Sequence, residues 1–181
     1  FDLIVSNPPF VISAGEQHVE YRDSGLAGDE LCRRLVAGLP DHLAPGGTAQ
    51  LLANWMIRAG TDWRHRVGSW VAGTGCDGWV VQRELADPAE YVSLWLADTG
   101  EASSADAEQL AGDWLDYFAA EGVVGIGMGS ITLRRPPSGT GGVPDVVFDE
   151  LTAPGDELTG TEVAAFLARR AWLAGRSDDD L

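Results

Sequence analysis

Four consecutive residues, Asn7-Pro8-Pro9-Phe10, bring together a side-chain amide, two rigid backbone carbonyls and an aromatic face. An amide nitrogen, like the exocyclic amine of a base, is a poor nucleophile because its lone pair is delocalised. Two hydrogen-bond acceptors aimed at its N–H groups pull it toward tetrahedral geometry and localise that pair. The side-chain carbonyl of Asn7 and the backbone carbonyl of Pro8 are such a pair. The prolines fix the backbone and offer no competing N–H. The Phe10 ring supplies a face on which a planar group stacks. A nitrogen held this way attacks an electrophilic methyl carbon in line, and positioning and electrostatics supply most of the rate. The plainer reading of the same residues is a tight Pro-Pro turn with Asn as a turn residue. The elements around the tetrapeptide favour the first reading.

Phe1-Asp2-Leu3-Ile4-Val5-Ser6 is apolar apart from Asp2 and reads as a buried parallel strand. Pro8 and Pro9 end its ladder. Open α/β sheets hold ligands beyond the C-terminal ends of such strands. Val11 to Leu26 has no period, contains Gly15 and Gly25, and reads as a loop of lid length. It carries His18, Tyr21 and Arg22, the candidate substrate-contacting residues. Gly28 to Leu43 predicts a helix through Leu31, Leu35, Leu39 and Leu43, with Pro40 forcing a kink or an early end near Leu39. The Pro45-Gly46-Gly47 turn leads into a strand from Thr48 to Trp55, which completes a βαβ unit. A helix over Thr61 to Ala72 and a strand over Gly78 to Leu85 follow. Asp87-Pro88 caps a short helix to about Ala97. A helix from Ser103 or Ser104 to Glu121 then precedes a strand over Val124 to Arg134. Gly125-Ile126-Gly127-Met128-Gly129 has the letters of a nucleotide-binding loop. It leads into a strand instead of opening a helix, and reads as a strand in close packing.

The chain has 181 residues, 45% of them hydrophobic, with seven Trp, which indicates a globular protein with room for one good core. Its formal charge is −16, and all twelve basic residues are Arg. Such acidity works against broad affinity for nucleic acid or anionic membranes. No apolar run approaches the roughly 18 residues of a membrane span. Cys32 and Cys76 match no metal spacing and read as reduced core residues of a cytoplasmic protein. Glu16, Glu20 and Asp23 show no metal spacing either, so no metal site is expected. Trp63-Arg64-His65-Arg66 is a basic-aromatic cluster that reads first as a helix face with Trp63 buried, and Arg169-Arg170 as solvated. Residues 136–142 read as a linker between a domain over 1–135 and a small C-terminal element over 143–176. Within that element Thr159-Gly160-Thr161-Glu162 is a capping box. The acidic tail, 177–181, reads as disordered.

Phe1 to Phe10 resembles the catalytic fourth motif of class I S-adenosylmethionine-dependent methyltransferases. The branch it is similar to modifies planar nitrogens. It includes ribosomal RNA guanine-N2, adenine-N6 and release-factor glutamine methyltransferases. Gly28-Asp29-Glu30-Leu31, the helix it opens, and Leu43-Ala44-Pro45-Gly46-Gly47 also resemble this branch. Ala53-Asn54 is closer to the guanine-N2 group than to the glutamine group. The resemblance covers about Phe1 to Arg134. It implies an α/β fold: a Rossmann-like methyltransferase sheet of order 3-2-1-4-5-7-6, of which this chain supplies strands 4 to 7 with flanking helices. The C-terminal appendage lies outside it. The resemblance also implies S-adenosylmethionine as cofactor and Asn7, Pro8, Pro9 and Phe10 as catalytic residues. The family's Gly-rich cofactor loop lies upstream of this motif. The cofactor-binding residues are therefore expected in an N-terminal half of the same polypeptide, and a sheet without that half should expose an apolar edge. The implied function is methylation of a planar nitrogen, first an exocyclic base amine of RNA or DNA. One alternative is a protein glutamine, and another is a non-catalytic partner domain that keeps the methyltransferase fold.

Overall fold

The strand periods and helix periods of the sequence assemble into one mixed five-stranded sheet. The computed structural model describes residues 1–15, 24–98, 107–139, 143–151, 153, 158–174 and 176. Strand β1 (Leu3–Ser6) leads through α1 (Glu30–Gly38) and a 3-10 turn (Leu39–His42) to β2 (Thr48–Arg58). Helix α2 (Trp63–Ala72) connects β2 to β3 (Asp77–Ala86). Helices α3 (Pro88–Asp98) and α4 (Ala107–Ala120) then precede β4 (Val123–Arg134), and β5 (Val146–Glu150) and α5 (Gly160–Ala174) close the chain. The spatial order is β1-β2-β4-β3-β5. β1 runs parallel to β2 and β5 parallel to β3, while β4 lies antiparallel between β2 and β3. The first four positions match the expected order 4-5-7-6, with β4, the fourth strand in chain order, returning antiparallel between β2 and β3.

Most boundaries follow the sequence signals. Pro40 ends α1 as expected, since it cannot donate to the preceding turn, and the chain tightens into the 3-10 turn. Asp87 and Glu90 cap α3 reciprocally, the Glu90 N–H donating to Asp87 Oδ1 and the Asp87 N–H to Glu90 Oε2. Thr159 and Glu162 do the same for α5. The start proposed for α4 at Ser103 or Ser104 lies outside the described residues. The C-terminal element is less separate than its linker suggested. β5 joins the main sheet through β3, and α5 packs Val163 and Leu167 onto Trp79 and Val81.

The two faces of the sheet are covered differently. Ala53, Leu51 and Trp55 of β2, with Ile131 and Leu133 of β4, point to the face that α1 and α2 bury. The opposite face carries Gln50, Leu52 and Asn54 on β2 and Met128 and Ser130 on β4, an alternation of period two. There α3 and α4 cover Met56 and Ile126, and α5 covers Trp79 and Val81. The Gly-rich stretch of β4 lies on the α1/α2 face. A Cβ at Gly127 would stand 2.1 Å from Trp55 Nε1, and one at Gly129 would stand 2.0 Å from the Val81 carbonyl oxygen. The Trp55 indole lies across the strand and donates to Gln82 Oε1. These glycines make room for an indole, as the close-packing reading required.

Candidate active site

The motif begins where β1 stops. Ser6 is paired with Leu51, and the chain leaves the sheet at Asn7. Two prolines follow, so no N–H is available there to extend the ladder. Asn7 is exposed, Pro8, Pro9 and Phe10 are half-buried, and Val11, Ile12 and Ser13 are buried. The tetrapeptide is thus a projecting arch on a fixed base, with its one side-chain amide facing solvent.

Contacts from several elements hold that base. The Ile12 N–H donates to the Tyr91 hydroxyl at 3.0 Å. The Gly28 N–H donates to the Ser13 carbonyl at 2.8 Å, closing the neck of the loop after the motif. Gly28 has φ +63°, the left-handed conformation that favours glycine, and a Cβ there would also push on the Met56 Cε methyl at 2.8 Å. The Phe10 ring meets Trp95 edge-on, with centroids 6.3 Å apart and planes at 72°. The Phe10 ring is therefore braced against α3.

Asp29 stabilises the same corner from inside. The sequence suggests only that its charge favours a helix N-terminus. In the structure its carboxylate is buried, accepts the Met56 N–H at 2.9 Å and pairs bidentately with Arg66 at 2.5 and 2.6 Å. It joins α1, the end of β2 and α2 next to the motif. Asn54 is also buried, and its Nδ2 donates to the Tyr91 hydroxyl at 2.8 Å. Tyr91, fully buried on α3, was not singled out by sequence reasoning. The available signal was a tyrosine on the apolar face of a capped helix, where a buried hydroxyl needs partners.

An open groove of about 680 Å³ runs from Phe10 along the partly uncovered sheet face. Phe10, Asn54 and Trp95 line one end, and Arg83, Glu84 and Thr159 lie toward the other. A β-bulge explains the charged pair. Gln82 pairs with Gly129 and Glu84 with Met128, so Arg83 is an extra residue and both charged side chains reach the groove. The basic-aromatic cluster on α2 is spent on structure. Trp63 is buried and stacks on Trp55, Arg64 pairs with Asp62 and Glu150, and Arg66 is held by Asp29. Arg170, expected to be solvated, makes a bidentate pair with Asp145. His18, Tyr21 and Arg22 lie outside the described residues. Among the described residues no group of three or more His, Cys, Asp or Glu is placed to hold a metal ion. No helix there is long and apolar enough to cross a membrane.

No family model matches the chain. A release factor glutamine methyltransferase from Xylella fastidiosa (strain Temecula1 / ATCC 700964) is 42% identical over 65 residues. The match covers 30% of this chain and 23% of that protein, so the chain spans less than a quarter of the relative's length. Among solved structures, phosphoethanolamine N-methyltransferase 2 of Haemonchus contortus in complex with S-adenosylhomocysteine gives a TM-score of 0.38 at 11% identity. That likeness covers 75% of this chain and 33% of the nematode protein. The [4+2]-cyclase SpnF gives 0.36 at 15% identity, covering 76% of this chain and 50% of the cyclase. The α/β fold rests on the chain's own sheet order, not on these distant likenesses.

The stretch with the letters of a nucleotide-binding loop, Gly125 to Gly129, is filled by Trp55 and by the backbone of β3.

Proposed function

We propose that this chain is the acceptor-holding part of an S-adenosylmethionine-dependent N-methyltransferase. The observation that carries the proposal is the exposed Asn7 amide on a proline-stiffened arch at the C-terminal end of a parallel strand. That strand opens a sheet ordered β1-β2-β4-β3, with β4 antiparallel between β2 and β3. The Asn7 side-chain carbonyl and the Pro8 carbonyl accept the two N–H groups of a planar nitrogen. Phe10, braced by Trp95, presents its free face to the planar group. Each acceptor bond strengthens as the nitrogen loses its conjugation and gains positive charge, so the pair favours the transition state over the ground state.

The acceptor we favour is a side-chain amide of protein glutamine, ahead of a base amine. Two facts support that order, which reverses the one the resemblance first implied. The chain is strongly acidic, and among the described residues Arg33, Arg34, Arg58, Arg64, Arg66 and Arg170 are paired with carboxylates. Those pairs, set in a chain of net charge −16, reduce the positive charge that could attract a phosphate backbone. The curated relative is named for glutamine methylation over a stretch 65 residues long.

The donor site belongs to the remaining half of the same polypeptide, which in this proposal packs along the open side of β1. Leu3 and Val5 are 63% and 71% exposed there. The test uses the full-length protein. Calorimetric titration should show S-adenosylmethionine binding, and Asn7→Ala should abolish transfer while leaving donor affinity unchanged. Absence of donor binding would favour a non-catalytic partner domain. Loss of both properties in Asn7→Ala would remove Asn7 from the acceptor site. Parallel assays with release factors and with RNA or DNA decide between amide and base.

A further inference from the structure

The arch at Asn7-Phe10 is short of its own hydrogen bonds. Pro8 and Pro9 have no N–H, and the ladder of β1 ends at Ser6. Among the described residues, the side chain that bonds to the backbone of 7–12 is Tyr91, through the Ile12 N–H. The same hydroxyl receives the Asn54 amide from β2. One turn further along α3, Trp95 touches both Tyr91 and Phe10. A single helix therefore grips the arch twice, by the Phe10 ring and by the Ile12 amide.

A phenylalanine would fill the ring space of Tyr91 equally well, since the ring is enclosed and packs edge-on against Trp95 and Phe118. Burying a hydroxyl is costly unless it is hydrogen-bonded. Here it accepts two donors from two different elements, and burial holds the phenol pKa well above its ordinary value, so the group stays neutral. The hydroxyl is thus placed to fix a distance between the loop, β2 and α3.

We propose that Tyr91 is a positioning residue for the acceptor arch, its hydroxyl setting where Asn7 and Pro8 stand relative to the strand ends by tying Ile12 to Asn54. This rests on the methyltransferase reading above, and the test separates the two. The variant is Tyr91→Phe in the full-length protein, with Phe118→Leu as a packing control that leaves the hydroxyl alone. Hydrogen exchange of the Ile12 amide should quicken about tenfold or more in Tyr91→Phe, because its acceptor is gone. Methyl transfer should show kcat reduced on the order of 10–100-fold, as expected for a sub-ångström to 1 Å displacement of an oriented group, with donor Kd unchanged. Phe118→Leu should lower Tm without changing kcat. Fast Ile12 exchange with an unaltered kcat would overturn the positioning role, as would an equal fall of kcat in Phe118→Leu. Unaltered exchange would deny the tether itself. A wild-type protein that methylates nothing would remove the methyltransferase reading and the catalytic part of this inference, while the exchange result would still stand on its own.

Discussion

The two edges of the sheet are built by opposite rules. At one edge β5 is finished. Helix α5 lies over its neighbour β3, Trp79 stacks on Phe166 with centroids 3.9 Å apart, and the Trp79 indole N–H donates to Asp149. Arg170 of α5 pairs back to Asp145 just before β5. At the other edge β1 is four residues long, and Leu3 and Val5 face outward with nothing over them among the described residues. The edge that carries Asn7-Pro8-Pro9-Phe10 is the open one. Its order comes from inside instead, through Asp29, Tyr91 and the neck at Ser13 and Gly28. Parallel strands are normally covered on both faces, and long exposed edges invite pairing. In the function proposed above, this open strand is the surface that the donor half covers.

The largest effect should come from breaking the finished edge. Trp79→Ala removes a buried ring, its stack on Phe166 and the hydrogen bond its indole N–H donates to Asp149. We expect a loss of about 3–5 kcal/mol in urea unfolding, in the range of buried aromatic truncations. Detachment of β5 and α5 should appear as early proteolysis there. A loss under about 1 kcal/mol would mean that the C-terminal element hardly contributes, and the contrast between the edges would fail.

The second effect tests the internal anchoring of the motif edge. Arg66→Ala leaves the Asp29 carboxylate buried with only the Met56 N–H as partner. Breaking a buried pair from one side costs about 3–5 kcal/mol, and partial exposure of Arg66 reduces this to roughly 2–3 kcal/mol. Asp29→Asn together with Arg66→Ala should recover part of that loss, since no charge is then stranded. A double variant worse than the single one would show that Asp29 acts through something other than this pair.

Much of the fold was legible in the sequence because its signals are local. Pro40, the Asp87-Pro88 cap and the Thr159–Glu162 box each place a helix end through contacts within three or four residues. The place of β4 between β2 and β3 was available only through the family likeness, since period two does not say which neighbour a strand takes, and its antiparallel direction came from the structure alone. The motif itself was readable because its chemistry is contiguous. What stabilises it was not. Ile12 and Tyr91 are 79 residues apart, and Asp29 and Arg66 are 37 apart. A buried tyrosine and a helix-starting aspartate look the same in sequence whether or not they meet these partners. The charged pair at Arg83 and Glu84 was hidden for a related reason. A bulge breaks the alternation from which facing is inferred, so both residues reach one face.

The smallest change in stability should come at the open edge, and there it carries the most information. Leu3→Ser and Val5→Ser trim side chains that are already mostly in water, so each should alter the unfolding free energy of this chain by less than about 0.5 kcal/mol. The same substitutions reduce an apolar strip beside an unpaired strand, which is the kind of surface that drives association. In sedimentation velocity at increasing concentration, the wild-type chain should therefore self-associate more than the double variant, while both unfold at nearly the same urea concentration. In the full-length protein the result should invert. If the donor half covers β1, both side chains become core there, and the double variant should lose about 2 kcal/mol or more, as buried aliphatics do. An equally small effect in both forms would leave β1 uncovered in the whole protein, and the open edge would then need a different occupant.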